Sequence, residues 1–173
     1  MELVAPRRSS GSASLLRGLF QHMAEQNLWS ALIDGADSFD PQLVPAQTLS
    51  RLLWIRCRSA AHAMQSTDLL LRDGNLPLLC LDLCGNPAAQ LRKIPSTMWY
   101  RLQRIIEPTA VALFTLSPTP LIPCADVRLE LQNGFSLGAL DQPPAELLRQ
   151  VKIETRRARA AEGSGFELLR KSA

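Results

Sequence analysis

Apolar residues follow two alternating patterns along this chain, one typical of strands and one typical of helices. Segments 28–34 and 76–82 are short, mostly apolar runs, as expected of strands that are buried on both faces of a sheet. Leu15, Leu16 and Leu19 recur at the spacing of one helix face. Because strands that alternate with helices form parallel β-α-β units, we expect an α/β fold with a mostly parallel, twisted sheet flanked by helices.

The same pattern places the individual elements. The expected strands are residues 2–5, 28–34, 52–56, 76–82, 109–116 and 125–132. The expected helices are residues 12–26, 59–72 and 96–107. Ser59 is the predicted N-cap of the second helix, and Asp73-Gly74-Asn75 is expected to end it.

The C-terminal part supports two alternative predictions. In the first, residues 141–161 form one helix that begins at two prolines and ends before Gly163. In the second, residues 148–157 and 166–169 pair as a β-hairpin. The hairpin is favoured because apolar and polar residues alternate from Val151 to Arg156.

Length and composition indicate a single soluble domain. The chain has 173 residues, of which 46% are hydrophobic and 20% charged, which is ordinary for a globular protein. We expect residues 1–140 to form the core and residues 141–173 a basic extension of the same domain. The apolar runs are too short to span a bilayer, and the N-terminus lacks a secretory pattern. A cytoplasmic protein without a membrane partner is therefore expected.

A serine-rich loop before the first helix has part of a phosphate-binding (P-loop) signature. That signature needs two glycines, then Lys, then Ser or Thr, because backbone N–H groups hold the phosphates, the ammonium neutralises them and the hydroxyl holds Mg²⁺. Gly11 matches the second glycine, but Pro6 replaces the first, and Ser12 and Ala13 replace the Lys and the hydroxyl residue. The loop therefore keeps N–H groups at a helix N-terminus and lacks the side chains for phosphate chemistry.

Two of the predicted strands end in an acid, Asp34 and Asp82. Ligands of parallel sheets bind outside the carboxyl ends of the strands, so both acids are expected at the same edge as the loop. Asp82 either holds the water shell of a metal ion or caps the loop that follows it. The candidate vestigial nucleotide site consists of Ser9, Ser10, Gly11, Ser12, Ala13, Asp34 and Asp82.

These residues carry a resemblance to a known family. Ser9-Ser10-Gly11, the acid Asp34 and the pair Asp40-Pro41 follow one another as in the RecA recombinase family, whose loop reads Ser-Ser-Gly-Lys-Thr. The resemblance spans roughly residues 2–132 and implies a RecA-like P-loop core that often finishes with a β-hairpin. It also implies a catalytic Glu two residues beyond Asp34, where this chain has Ala36. Because the first glycine, the lysine, the hydroxyl residue and the catalytic Glu are all replaced in this chain, we expect no ATP hydrolysis and no cofactor.

Two groups resemble RecA without its ATPase activity. One is the ImuA-type accessory protein of damage-induced translesion DNA repair, and the other is the SulA-type cell-division inhibitor. Segments 52–63 and 99–104 are closer to the ImuA type. The resemblance therefore implies a non-catalytic protein that binds a polymerase-like partner, with a RecA-family protein as a further possible partner. A division inhibitor and a weak nucleotide-binding ATPase homologue stay as alternatives.

The remaining chemistry-bearing residues give weaker signals. Arg156, Arg157 and Arg159 gather near the C-terminus and are candidates for contact with a partner or with DNA. Few aromatic residues accompany the basic ones, so any DNA contact is expected to be weak or indirect. The chain has four cysteines, which lie mostly in apolar settings without metal-ligand spacing. Buried free thiols and no metal site are expected.

Overall fold

In the computed structural model, the described residues are 1–7, 9–136, 138–139, 142 and 144–158. They form a sheet of seven strands with helices on both faces. The strands are β1 (Glu2–Val4), β2 (Ser30–Asp34), β3 (Leu52–Arg56), β4 (Leu78–Asp82), β5 (Ala112–Ser117), β6 (Val127–Leu131) and β7 (Ile153–Ala158). The helices are α1 (Ser12–Glu25), α2 (Ala46–Leu49), α3 (Ala60–Asp73), α4 (Ala88–Leu91), α5 (Ser96–Ile106) and α6 (Pro144–Gln150), with a 3₁₀ turn at Pro41–Leu43.

The sheet is parallel except at one edge. The strand order is β3-β2-β4-β5-β1-β6-β7, and the pairs from β3 to β6 are all parallel. β7 is antiparallel to β6, and the register shifts by a bulge between Arg128 and Leu129. The expectation of an α/β fold with a mostly parallel, helix-flanked sheet is confirmed.

Each face of the sheet has its own apolar core. On one face, α3 and α5 pack through side chains such as Met64 and Trp99 against Ile33 and Leu81 of the sheet. On the other face, α1 packs through Leu16 and Phe20, among others, against the sheet. Because successive side chains of a strand point to opposite faces, one apolar strand supplies both cores. This explains why the inner strands are apolar throughout.

Helix α3 shows how local sequence determines an element. Ser59 precedes it, and the Ser59 hydroxyl accepts a hydrogen bond from the backbone N–H of His62 at 3.3 Å. Gly74 ends it in the left-handed conformation, with φ of 70°. The predicted cap and stop are both confirmed.

The C-terminal part combines pieces of the two alternative predictions. One long helix over 141–161 is wrong, because α6 ends at Gln150 and β7 follows after two residues. The strand of the hairpin is present over residues 153–158, but β7 pairs with β6, and residues 148–150 belong to α6. The hairpin partner predicted at 166–169 lies outside the described residues. In the described part of the chain, no helix is long and apolar enough to cross a membrane.

Candidate functional site

The carboxyl-terminal edge of the sheet brings most of the predicted site together. Asp34 and Asp82 end neighbouring strands and are register partners in the β2–β4 pair. A cavity of about 940 Å³ lies at this edge, and Ser12, Ala13 and Asp82 line it. Asp34 and the loop residues 9–11 do not line the cavity. The predicted site residues are therefore close in the fold, but only some of them face the same space.

The Asp34 carboxylate accepts hydrogen bonds from the loop that follows β2. Its side chain is buried, with the residue 1% exposed. The carboxylate accepts backbone N–H bonds from Ala36 at 3.3 Å, Ser38 at 3.0 Å and Phe39 at 2.8 Å. The indole N–H of Trp54 adds a fourth bond at 3.4 Å. Because both oxygens already accept hydrogen bonds, Asp34 organises the loop after β2 in this structure.

Asp82 has fewer hydrogen-bond partners than Asp34 and is half-buried. Its carboxylate accepts a 2.9 Å bond from the backbone N–H of Cys84. Burial raises the pKa of Asp82, the Cys84 bond opposes that rise, and the nearby charge of Asp34 adds to it. This geometry fits the loop-capping alternative for Asp82. The carboxyl group nevertheless stays on the cavity wall.

The loops that follow β2 and β4 are locked against each other. Gly35 N–H donates to the Asp82 carbonyl at 2.9 Å, and the Asn86 side chain donates to the Gly35 carbonyl at 2.7 Å. A Cβ atom on Gly85 would lie 2.6 Å from that of Ala36. Ala36, at the place where the family resemblance implies a catalytic Glu, is thus packed against the neighbouring loop.

The serine-rich loop is partly covered by other parts of the chain, since Ser10 is buried while Ser9 and Ala13 are exposed. Gly11 is left-handed, with φ of 89°, and no side chain caps α1. A Cβ atom on Gly11 would lie 2.9 Å from the ring of Phe135 and 3.0 Å from Val151. The Ser9 carbonyl accepts a 2.8 Å bond from the N–H of Phe135. Side chains of later segments therefore occupy the space beside Gly11.

Helix α6 packs against α1 beside this loop. Gly18 of α1 leaves room for Leu148, whose side chain would be 3.0 Å from a Cβ atom at that position. Leu147 is buried and lines the cavity. Sequence reasoning missed these contacts, although a glycine inside a predicted helix often indicates close packing.

Charges of both signs line the cavity. Arg7 and Arg17 are on its wall together with Asp40 and Asp82. Arg17 donates to the Leu43 carbonyl at 3.5 Å and to the Ser14 hydroxyl at 3.4 Å, while its Nε is buried without a partner among the described residues. The mixed charges give the cavity no strong preference for an anion.

The predicted basic contact region is partly neutralised. Arg156 donates to Glu130 at 2.8 Å and to Glu154 at 2.6 Å, so it bridges two acids that face each other across β6 and β7. The bond to Glu130 raises the pKa of Arg156. Arg157 donates to the Pro123 carbonyl at 2.7 Å. Arg159 lies outside the described residues.

Metal-type ligands are dispersed through the described part of the chain. There, no group of three His, Cys, Asp or Glu side chains is placed to hold a metal ion. All four cysteines are free, and Cys57, Cys80 and Cys124 are buried while Cys84 is half-buried. Burial raises the pKa of Cys80 and Cys84, which keeps both thiols protonated.

Comparison with known proteins adds no assignment to this geometry. A scan against protein-family models and a search of curated proteins each found no match to the chain.

Proposed function

We propose that this chain is a non-catalytic, RecA-like accessory protein of damage-induced translesion DNA repair, which acts by binding a polymerase-like partner protein. The observation that carries the proposal is that the acids at the ends of β2 and β4 cap the loops that follow these strands. Both carboxylate oxygens of Asp34 accept hydrogen bonds from the loop after β2, and Asp82 caps the loop after β4. In addition, Ser12 stands in place of the Lys and Ala13 in place of the hydroxyl residue. Both observations support a protein that acts by binding a partner through its surface and not by phosphate chemistry.

The strand order is a second point of support. A P-loop plan needs the loop after β1 and the two acids at one edge of the sheet. β1, β4 and β2 belong to one run of parallel strands, with β5 between β1 and β4, and Asp34 and Asp82 end β2 and β4, which supports this plan. The cover of Phe135 and Val151 over Gly11 also fits a loop that no longer cradles phosphate.

A calorimetric titration with ATP and Mg²⁺ tests whether the nucleotide site has been lost, as the proposal requires. No heat of binding is expected at micromolar protein. The matched control is the double variant Ser12→Lys/Ala13→Thr, which restores the two side chains that the P-loop signature requires. Micromolar, Mg²⁺-dependent ATP binding by the natural chain would overturn this part of the proposal.

A pairwise binding assay tests the partner. The purified chain is immobilised and exposed separately to a translesion-type polymerase homologue, a RecA-family protein and a tubulin-like division protein from the same source. Binding to the polymerase homologue is expected. Binding to the division protein alone would favour the cell-division inhibitor and reject the repair role.

A further inference from the structure

A second cavity, of about 780 Å³, lies at the amino-terminal edge of the sheet, opposite the vestigial site. Leu78 and Ala112, the first residues of β4 and β5, line it. Its walls extend to both faces of the sheet, with Leu19 of α1 on one and Leu102 of α5 on the other. We refer to this space as the apolar groove.

Apolar side chains of the groove reach the surface. Ile153 of β7 is 47% exposed, and Leu129 of β6 and Leu113 of β5 are half-buried. All three line the groove. Exposed apolar surface that is continuous with a groove is typical of an interaction site.

The charged side chains described at the groove are both acidic. Among the residues that the structure describes, Glu107 and Asp126 are the charged side chains in its lining, and both are exposed. Neither is in a salt bridge with any residue that the structure describes. The amino group of Met1 also lies at the groove and donates to the Leu113 carbonyl at 3.0 Å; it carries the opposite charge, although burial lowers its pKa. Two carboxylates therefore stand against one amino group, and the net charge of the described groove residues is negative.

We propose that the apolar groove binds a segment of the partner protein in which Lys or Arg flanks apolar residues. Apolar side chains of that segment fill the groove, and its basic residues pair with Glu107 and Asp126. An acid-flanked segment is disfavoured because it would face like charges at the mouth. This inference rests on the proposed function, since it assigns a surface to the partner which that function requires.

The test uses two synthetic amphipathic helical peptides with the same leucine face, one flanked by Lys and the other by Glu. Each is titrated into the full chain, and the methyl resonances of Leu129 and Ile153 are followed by NMR. The Lys peptide is expected to shift these resonances and the Glu peptide to leave them unchanged. Ile153→Ser should weaken the Lys peptide about tenfold, because it removes half-exposed apolar area from the groove.

Two further variants separate the apolar and electrostatic contributions. Leu69→Ser is the matched control, since Leu69 is 69% exposed on α3 and does not line the groove, and it should leave binding unchanged. The double variant Glu107→Gln/Asp126→Asn should weaken the Lys peptide by about threefold at low salt and reduce its salt dependence.

Several results would overturn the proposal. These are equal binding of both peptides, binding of neither, shifts confined to other surfaces, or a groove that residues 159–173 or a second copy of the chain already fill in the peptide-free protein. The proposed function fails separately. Lys-peptide binding in the groove without any binding of the polymerase homologue rejects the repair role, whereas polymerase binding that Ile153→Ser leaves intact rejects the groove.

Discussion

Replacing Asp34 by Asn tests whether this carboxylate holds a loop or serves a ligand. One oxygen of the carboxylate accepts from Ala36 and Ser38, and the other from Phe39 and Trp54. An asparagine keeps one acceptor oxygen, but its NH₂ group faces donors where the second oxygen was. Two N–H groups therefore lose their acceptor in a buried site. Because each hydrogen bond to a charged group contributes roughly 1.5–3 kcal/mol, we expect the loss of two bonds to lower the free energy of unfolding by about 3–6 kcal/mol.

Urea unfolding near neutral pH measures this loss. The wild type and Asp34→Asn are compared in EDTA and again with Mg²⁺ and ATP, and the difference between them should be the same in both conditions. Asp40→Asn is the control, because Asp40 is exposed and caps the 3₁₀ turn through one 3.0 Å bond from Gln42 N–H. The decrease in the free energy of unfolding caused by Asp40→Asn should stay below about 1 kcal/mol.

Two outcomes would contradict this reasoning. Wild-type stability in Asp34→Asn would mean that the loop does not depend on the carboxylate. Stabilisation of the wild type by Mg²⁺ and ATP, absent in the variant, would mean that Asp34 serves a ligand and that its loop bonds are secondary.

Three further predictions concern stability, each measured by urea unfolding. Asp82→Asn should raise the free energy of unfolding near neutral pH, because burial raises the Asp82 pKa above its usual 3.8 and ionisation then costs stability. This gain should shrink as the pH falls towards about 3.8, where the wild-type carboxyl becomes protonated in both states; a gain that is independent of pH would contradict the assignment. Glu2→Gln should cost about 3 kcal/mol, since Glu2 is fully buried and accepts a 2.6 Å bond from Arg128. Asp37→Asn, in the exposed pair with Arg56, should have almost no effect, and equal losses in the two variants would refute the role of burial. Gly11→Ala should cost more than Gly74→Ala, by about 1–3 kcal/mol, because both glycines have positive φ but only Gly11 is crowded by Phe135 and Val151. Equal costs would mean that the loop cover gives way without strain.

Local signals in the sequence predicted the elements well where one pattern dominated. The apolar run 52–56 became β3 with the same bounds, and Ser59 and Gly74 enclose α3 as expected. β5 begins later than its predicted start at residue 109, because Thr109 closes a turn after α5 through its N–H bond to the Ile106 carbonyl. The four-residue helices α2 and α4 were not predicted, since each has only about one turn of pattern.

The site was harder to predict because its decisive contacts are long-range. The edge position of Asp34 and Asp82 followed from the parallel strands, but the number of donors on Asp34 depends on how the following loop folds back. The cover over Gly11 comes from Phe135 and Val151, far along the chain. No local periodicity reports such packing, so the serine-rich loop looked more open in the sequence than it is in the fold.

The position of β1 has a consequence for how the protein assembles during synthesis. β1 lies between β5 and β6, and its Glu2 carboxylate accepts a bond from Ser117, which is 115 residues away in the sequence. β2, β3 and β4 can pair with one another as soon as they leave the ribosome, whereas β1, which is made before them, must wait for partners made much later. Pairing at such separation is slow, so β1 is expected to join the sheet only after β2, β3 and β4 have paired. Nascent chains that stop before β5 would leave Leu3 without its core.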